Sequence, residues 1–224
     1  MCKRPVTTLF LLASVDGKIS TGATNYFDFD QDLPTLPGVR EGLQQYYDIE
    51  QTTDIWSFNS GAVMAKIGAN TNSFPEKTDV NFVVVDNTHL TSRGVEWLSH
   101  KANNLVIITQ NDRHPATWLE LENVDVIQQD IYNFRQAFEE LYFFYGCEAI
   151  TIQTGGTINS MLLRQGLIDY INIVVAPILI GGNDTPTLID GPSVSSLCDL
   201  RTLELLESKV LDNSYIQLTY KVNN

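Results

Sequence analysis

Short apolar, β-branched runs alternate along the chain with segments whose apolar residues recur at helical spacing. The runs at 6–13, 54–58, 81–85, 105–109, 124–127, 149–153, 170–176 and 215–220 predict strands. Residues 82–85 and 105–108 are apolar at every position, the pattern of strands covered on both faces. Val39, Leu43, Tyr46 and Tyr47, spaced i, i+4, i+7, i+8 behind Pro37, predict a helix. Phe134, Phe138, Leu141, Tyr142 and Tyr145 predict a longer one that Gly146 ends, and the segment 157–165, with Ile158, Met161 and Leu162, a third that stops at Gly166. Strands alternating with helices of this size imply an α/β sheet with helices on both faces. The stretch from Tyr170 to Tyr220 lacks strong helices and reads as an antiparallel addition at one side of the sheet. No repeat and no low-complexity linker interrupts the 224 residues, so the expectation is a single domain, 1–224.

Composition narrows the function. No apolar run approaches the ~18–20 residues that span a bilayer. The basic start Met1-Cys2-Lys3-Arg4-Pro5 leads into an apolar stretch of only 6–13, which meets Asp16-Gly17-Lys18 with no small-residue cleavage site. It reads as a strand rather than a signal peptide. Against 14 basic residues stand 27 acidic ones, a net charge of −13 that repels nucleic acid and anionic membrane. A phosphorylated ligand would have to be held by local devices: helix N-termini, backbone N–H groups and one or two cations. Cys2, Cys147 and Cys198 are too few and too scattered for a disulfide framework or a zinc site, and read as buried thiols in a reducing cytoplasm. His89, His100 and His114 share no ligand spacing, so no metal is expected.

Chemistry concentrates in two segments. In 149–182, a buried strand meets Gly155-Gly156 and a helix begins at once. Without Cβ atoms the two glycines let a ligand touch the backbone, and the unpaired N–H groups of the first helical turn suit a pyrophosphate. A tight strand-to-helix turn with no ligand is the equal alternative on the glycine pair alone. The pair is not a Gly-x-Gly-x-x-Gly fingerprint, so the ordinary dinucleotide fold is not indicated. In 9–20 an apolar strand ends in Asp16, Gly17 and Lys18, which alone signify no more than a turn.

Together the segments are more specific. Ser14-x-Asp16-Gly17-Lys18-Ile19 stands near the start. Gly155-Gly156-Thr157, then Leu162-x-x-x-Gly166-Leu167-Ile168-Asp169, then Ala176-Pro177-Ile178-Leu179-Ile180-Gly181-Gly182 stand near the end. The chain resembles the reductase domain of the riboflavin-biosynthesis deaminase/reductase, a branch of the dihydrofolate-reductase-like family. The resemblance is strong at both ends and thin between about Asp28 and Asn81. No zinc-deaminase motif is present, so the chain looks like a stand-alone reductase.

The resemblance implies a central mixed sheet, mostly parallel with an antiparallel C-terminal strand, a homodimer, and NADPH (or NADH) as cofactor. It implies reduction of a ribosylamino-pyrimidine phosphate by hydride transfer to ribose C1′. By resemblance, Gly155, Gly156 and Thr157 match the diphosphate loop and Ser60, Gly61 and Ala62 the second cofactor loop. Asp86 and Thr109 flank the adenosine half, Ile180 and Gly181 shape the nicotinamide end, and Ala13, Asp16 and Gly17 cover it. Asp16 and Lys18 are the catalytic candidates, Asp16 as loop organiser or proton donor. Thr24, Tyr26 and Arg40 are the substrate-binding candidates, with Lys18 and Arg40 the cations for a substrate phosphate. Three departures bear on the substrate and the coenzyme. The second cofactor loop reads Gly61-Ala62-Val63-Met64, without the guanidinium that would meet a 2′-phosphate. Gly22-Ala23-Thr24-Asn25-Tyr26 replaces the family's Gly-x-Ser-x-Trp. Ile67–Ser73 replaces its sugar-phosphate stretch. A related oxidoreductase acting on another small imine or carbonyl, or a nucleotide-binding protein without catalysis, stays open.

Overall fold

The structure, a computed structural model, describes residues 3–224. In chain order these residues form β1 (Val6–Ser14), α1 (Phe29–Asp32), α2 (Arg40–Glu50), β2 (Trp56–Ser60), α3 (Gly61–Lys66), β3 (Asn81–Val85), α4 (Ser92–Lys101), β4 (Leu105–Thr109), β5 (Val124–Gln128), α5 (Phe134–Tyr145), β6 (Ala149–Ile152), α6 (Gly156–Arg164), β7 (Tyr170–Ala176), β8 (Thr202–Val210) and β9 (Ile216–Asn223). They divide into two compact units. One holds residues 3–6 and 54–154; the other holds 7–53 and 155–224.

In the first unit the strands lie in the order β5-β4-β3-β2-β6, each pair parallel. Every residue of β2, β3 and β4 is buried; the unbroken apolar runs at 82–85 and 105–108 predict this for β3 and β4. Phe82, Val84, Leu105 and Ile107 pack with Trp97 and Leu98 of α4. Phe58 of β2 meets Phe134 and Phe138 of α5 edge-on, with ring centroids 6.1 and 5.3 Å apart. The ends of α5 follow from its sequence. Asn133 accepts the Gln136 N–H at 3.1 Å, and Gly146 takes the left-handed conformation, φ 67°, that closes the helix. Apolar spacing did not announce α4, which buries Val95, Trp97 and Leu98 within one turn and is started by Thr91, whose hydroxyl accepts from the Gly94 N–H.

In the second unit β1 pairs parallel with β7, β7 antiparallel with β9, and β9 antiparallel with β8. The antiparallel closing section is the one the lack of helices predicts. Its core joins Phe10, Leu12, Val174 and Ala176 to Leu43 and Tyr46 of α2, with Phe10 stacked on Tyr46 at 5.1 Å. Buried Tyr215 donates its hydroxyl proton to the Val39 carbonyl at 2.8 Å. Strand β8 is exposed along its whole length and was not predicted. A register shift between Leu205 and Glu207 breaks the period of two that would have marked it.

Cys147 is buried and Cys198 exposed, which corrects the expectation that all the thiols are buried; Cys2 lies outside the described residues. Burial pushes the Cys147 thiol up to about 12. Among the described residues no helix is long and apolar enough to cross a membrane.

Candidate active site

In the second unit, the exit of β1 and the start of α6 converge on one segment, residues 178–190. Gly17, at φ 75°, lets the chain turn back so that the Ser14 N–H reaches the Lys18 carbonyl at 2.9 Å. The Ser14 hydroxyl donates to Asp16 Oδ1 at 2.6 Å and accepts the Lys18 N–H at 2.9 Å. Asp16 then reaches outward: its oxygens accept the N–H groups of Ile180 at 3.1 Å and Gly181 at 2.6 Å. The Ser14 hydroxyl, then the Gly181 and Ile180 N–H groups, lower its pKa to about 2, so it is a carboxylate at neutral pH. Lys18 is buried, and its ammonium donates to the carbonyls of Gly182 at 2.7 Å and Thr185 at 2.9 Å. The backbone adds Val15 to Ile178, Ile19 to Pro186 and Leu188 to Gly17. Asp16 and Lys18 thus clasp Ile180, Gly181, Gly182 and Thr185, and both catalytic candidates hold the segment in place, while Ala13 lies buried in β1 opposite Val175 of β7.

The same segment reaches α6. The Asp190 N–H donates to the Gly156 carbonyl at 3.0 Å, and Asn159 Nδ2 to the Leu188 carbonyl at 2.9 Å. A Cβ on Gly156 would stand 2.3 Å from the Thr187 carbonyl and 2.4 Å from the Asp190 carboxylate. Gly156 is therefore glycine because the protein's own loop lies against it. Gly155 differs. It precedes α6 with no side-chain cap, and nothing stands within 4 Å of where its Cβ would be. Of the two glycines, Gly155 is the one with bare main chain on its side, next to Thr157 and the uncapped first turn. A diphosphate fits that donor set.

The first unit carries the other cofactor candidates. Ser60 caps α3, accepting the Val63 N–H at 3.4 Å, and Gly61 sits where a Cβ would be 2.2 Å from Asp86. Ala62 is exposed. Asp86 is buried, and its carboxylate accepts from the N–H groups of His89 (3.0 Å) and Leu90 (2.9 Å) and from the rings of His89 (2.9 Å) and His114 (3.0 Å). Burial opposes its charge, but the bonds from His114, Leu90 and His89 outweigh it and hold the carboxyl well below the usual range. His114 Nδ1 accepts the Ala116 N–H at 3.1 Å, which leaves Nε2 as the nitrogen that donates to Asp86. Thr109 is also buried: its hydroxyl donates to Asn87 at 3.2 Å and accepts the Asn111 N–H at 3.1 Å. Asp86 and Thr109 shape these loops from beneath. Sequence reasoning missed His89, His114 and Asn87. His114 meets Asp86 across 28 residues, a pairing no local pattern announces.

The substrate candidates are not drawn into the clasp. Thr24 and Tyr26 are exposed, Tyr26 at 90%. Arg40, also exposed, shares its charge with Glu41 at 3.0 Å.

Comparison with known proteins follows the same lines. The family model described as the RibD C-terminal domain matches residues 5–217. The 2,5-diamino-6-ribosylamino-4(3H)-pyrimidinone 5′-phosphate reductase of Methanothermobacter thermautotrophicus is 35% identical over 71 residues, 32% of this chain and 33% of that protein. The match thus spans about a third of that relative's length. Among solved structures, RibD of Acinetobacter baumannii superposes with a TM-score of 0.69 at 18% identity, over 99% of this chain and 59% of that one. The riboflavin biosynthesis reductase Rib7 of Saccharomyces cerevisiae does so with a TM-score of 0.60 at 14% identity, over 98% of this chain and 90% of that one. These structures share the mixed α/β fold.

Proposed function

The chain belongs to the RibD C-terminal domain family, and on that premise we propose that it is an NADPH-dependent reductase of riboflavin biosynthesis acting on a 5′-phosphorylated ribosylamino-pyrimidine. The relative's name supports the substrate class. The observation that carries the cofactor assignment is the open main chain at Gly155 ahead of an uncapped helix start. There Gly155, Gly156 and Thr157 hold the diphosphate. The cofactor, when bound, supplies the hydride.

The chain's own work is positioning. Asp16 fixes Ile180 and Gly181 beside the exit of β1, and Lys18 ties down Gly182 and Thr185. With its charge spent on two carbonyls, Lys18 acts on the shape of the site, which leaves Arg40 as the cation for the substrate phosphate. Asp16 is too strong an acid to donate a proton at neutral pH, so the proton that completes the reduction enters from water. Thr24 and Tyr26, both exposed, face the substrate. Ser60, Gly61 and Ala62 contact the cofactor through the main chain, over loops that Asp86 and Thr109 hold in shape; the family resemblance supports this part.

The family model runs across both units, which supports their working as one reductase domain. Strand β8 supports a homodimer, because it exposes Leu203, Leu205, Leu206 and Val210 along an unpaired sheet edge. An exposed unpaired thiol at Cys198 suits the reducing cytoplasm. The test is turnover of NADPH and NADH by the full chain with the ribosylamino-pyrimidine phosphate, run beside dihydrofolate. Oxidation of NADPH with the pyrimidine alone is expected. Turnover of dihydrofolate alone would overturn the substrate assignment, and failure of both NADPH and NADH to quench tryptophan fluorescence or raise the Tm would overturn the enzyme assignment.

A further inference from the structure

The second unit carries a cavity of about 210 Å³ beyond the C-terminal end of α6, lined by Arg164, Ser193, Val194, Ser195, Asp199 and Arg201. Two features mark it out. In a chain of net charge −13 with only 14 basic residues, two guanidiniums meet in one concavity. Among the described residues, the buried side-chain nitrogen left without a hydrogen-bond partner is Arg201 Nε. A buried charged donor without a protein acceptor calls for a partner from outside the chain, an ordered water or a bound ion. The remaining guanidinium bonds are few. Arg164 donates one N–H to the Pro192 carbonyl, and Arg201 donates one to the Cys198 carbonyl at 3.3 Å. Most of the ten donors of the two planar forks therefore have no partner among the described residues. No ion pair joins Asp199 to either arginine among the described residues, so its carboxylate does not neutralise them.

We propose that this cavity is an oxyanion site for a phosphate group, separate from the reductase site, taking free phosphate or a small phosphomonoester. A tetrahedral dianion offers acceptors to both forks at once, which a monoanion does less well. The Ser193 and Ser195 hydroxyls supply neutral donors on the same wall. Asp199, which would repel a bare anion, suits an accompanying hydroxyl: the protonated oxygen of monohydrogen phosphate or a sugar hydroxyl can donate to it.

The experiment titrates inorganic phosphate, ribose 5-phosphate and acetate into the full chain without coenzyme, at low salt, by calorimetry. It uses the unsubstituted protein, Arg40→Gln, Arg164→Gln and Arg201→Gln. Saturable binding of phosphate or ribose 5-phosphate is expected, unchanged in Arg40→Gln and weakened ~10-fold or more in each of the other two variants, with acetate binding ~10-fold less tightly. Tighter binding of ribose 5-phosphate than of phosphate identifies a phosphomonoester as the ligand; equal binding identifies the free ion. Arg164 is exposed, so its variant decides the matter even where Arg201→Gln fails to fold. Phosphate affinity unchanged in Arg164→Gln, affinity lost in Arg40→Gln alone, or no saturable binding at tens of millimolar would overturn the site.

Discussion

Replacing Gly155 with Asp separates cofactor binding from folding more cleanly than any other change. The residue sits at φ −74°, ψ 161°, which any L-residue adopts, and its Cβ would point into open space. It is also the uncapped position before α6, so an aspartate there can accept first-turn N–H groups and complement the helix dipole. These gains sum to ~0.5–1 kcal/mol and raise the Tm by about 1–4 °C for a domain of this size. Cofactor binding moves the other way. A carboxylate about 4 Å from one phosphate charge is repelled by ~4 kcal/mol at an effective dielectric of ~20. Halving that for solvent screening leaves ~2 kcal/mol, about thirtyfold in Kd. Gly155→Asn provides the same cap without the charge and should lose much less affinity. The assay is NADPH titration by tryptophan quenching, with Tm measured on the same samples. The reasoning fails if Gly155→Asp binds NADPH like the unsubstituted chain, or if Gly155→Asn weakens binding as much as Gly155→Asp does. Gly156→Val is a poor substitute, because its side chain would strike the Thr187 carbonyl and disturb the whole 178–190 segment.

Three further outcomes are expected. Asp86→Asn leaves four N–H donors facing one acceptor and an amide, and should cost ~3 kcal/mol in urea unfolding. Because the folded pKa of Asp86 lies below its ordinary value, the carboxylate stabilises fully above about pH 4 and loses that contribution as pH falls further. The acid limb of the stability profile should flatten in Asp86→Asn, and an unchanged limb would mean that Asp86 is not its source. Asp16 is ionised across the neutral range, so Asp16→Asn should lower kcat/KM through a looser 178–190 segment while leaving the shape of the pH–rate profile between pH 5 and 9 intact; loss of a limb in that range would restore Asp16 as an acid. Leu205→Glu on β8 should shift a dimer to monomer in analytical ultracentrifugation, and a monomeric unsubstituted chain would remove the dimer assignment.

How much of this was legible in the sequence depended on how local each cause is. Strands β3 and β4 run over the same residues as their apolar runs, because burial on both faces writes itself into consecutive side chains. The start and stop of α5 were equally plain, since Gly146 closes a helix by its own conformational freedom. Motif resemblance alone brought the Asp16 turn and the Gly155 loop together as parts of one site. Their actual relation runs through residues 178–190, which bond to both.

The sequence by itself determined the alternation of strand and helix, the acidic surface, and the glycines at the helix start, because propensity, charge and backbone freedom belong to single residues and short windows. Only the tertiary structure decided that Gly156 serves packing while Gly155 stays open, that Lys18 holds carbonyls, and that Asp86 is held by two histidines. Each of these depends on which atoms arrive from a distant part of the chain, and a buried polar group takes its role from the partner that satisfies it.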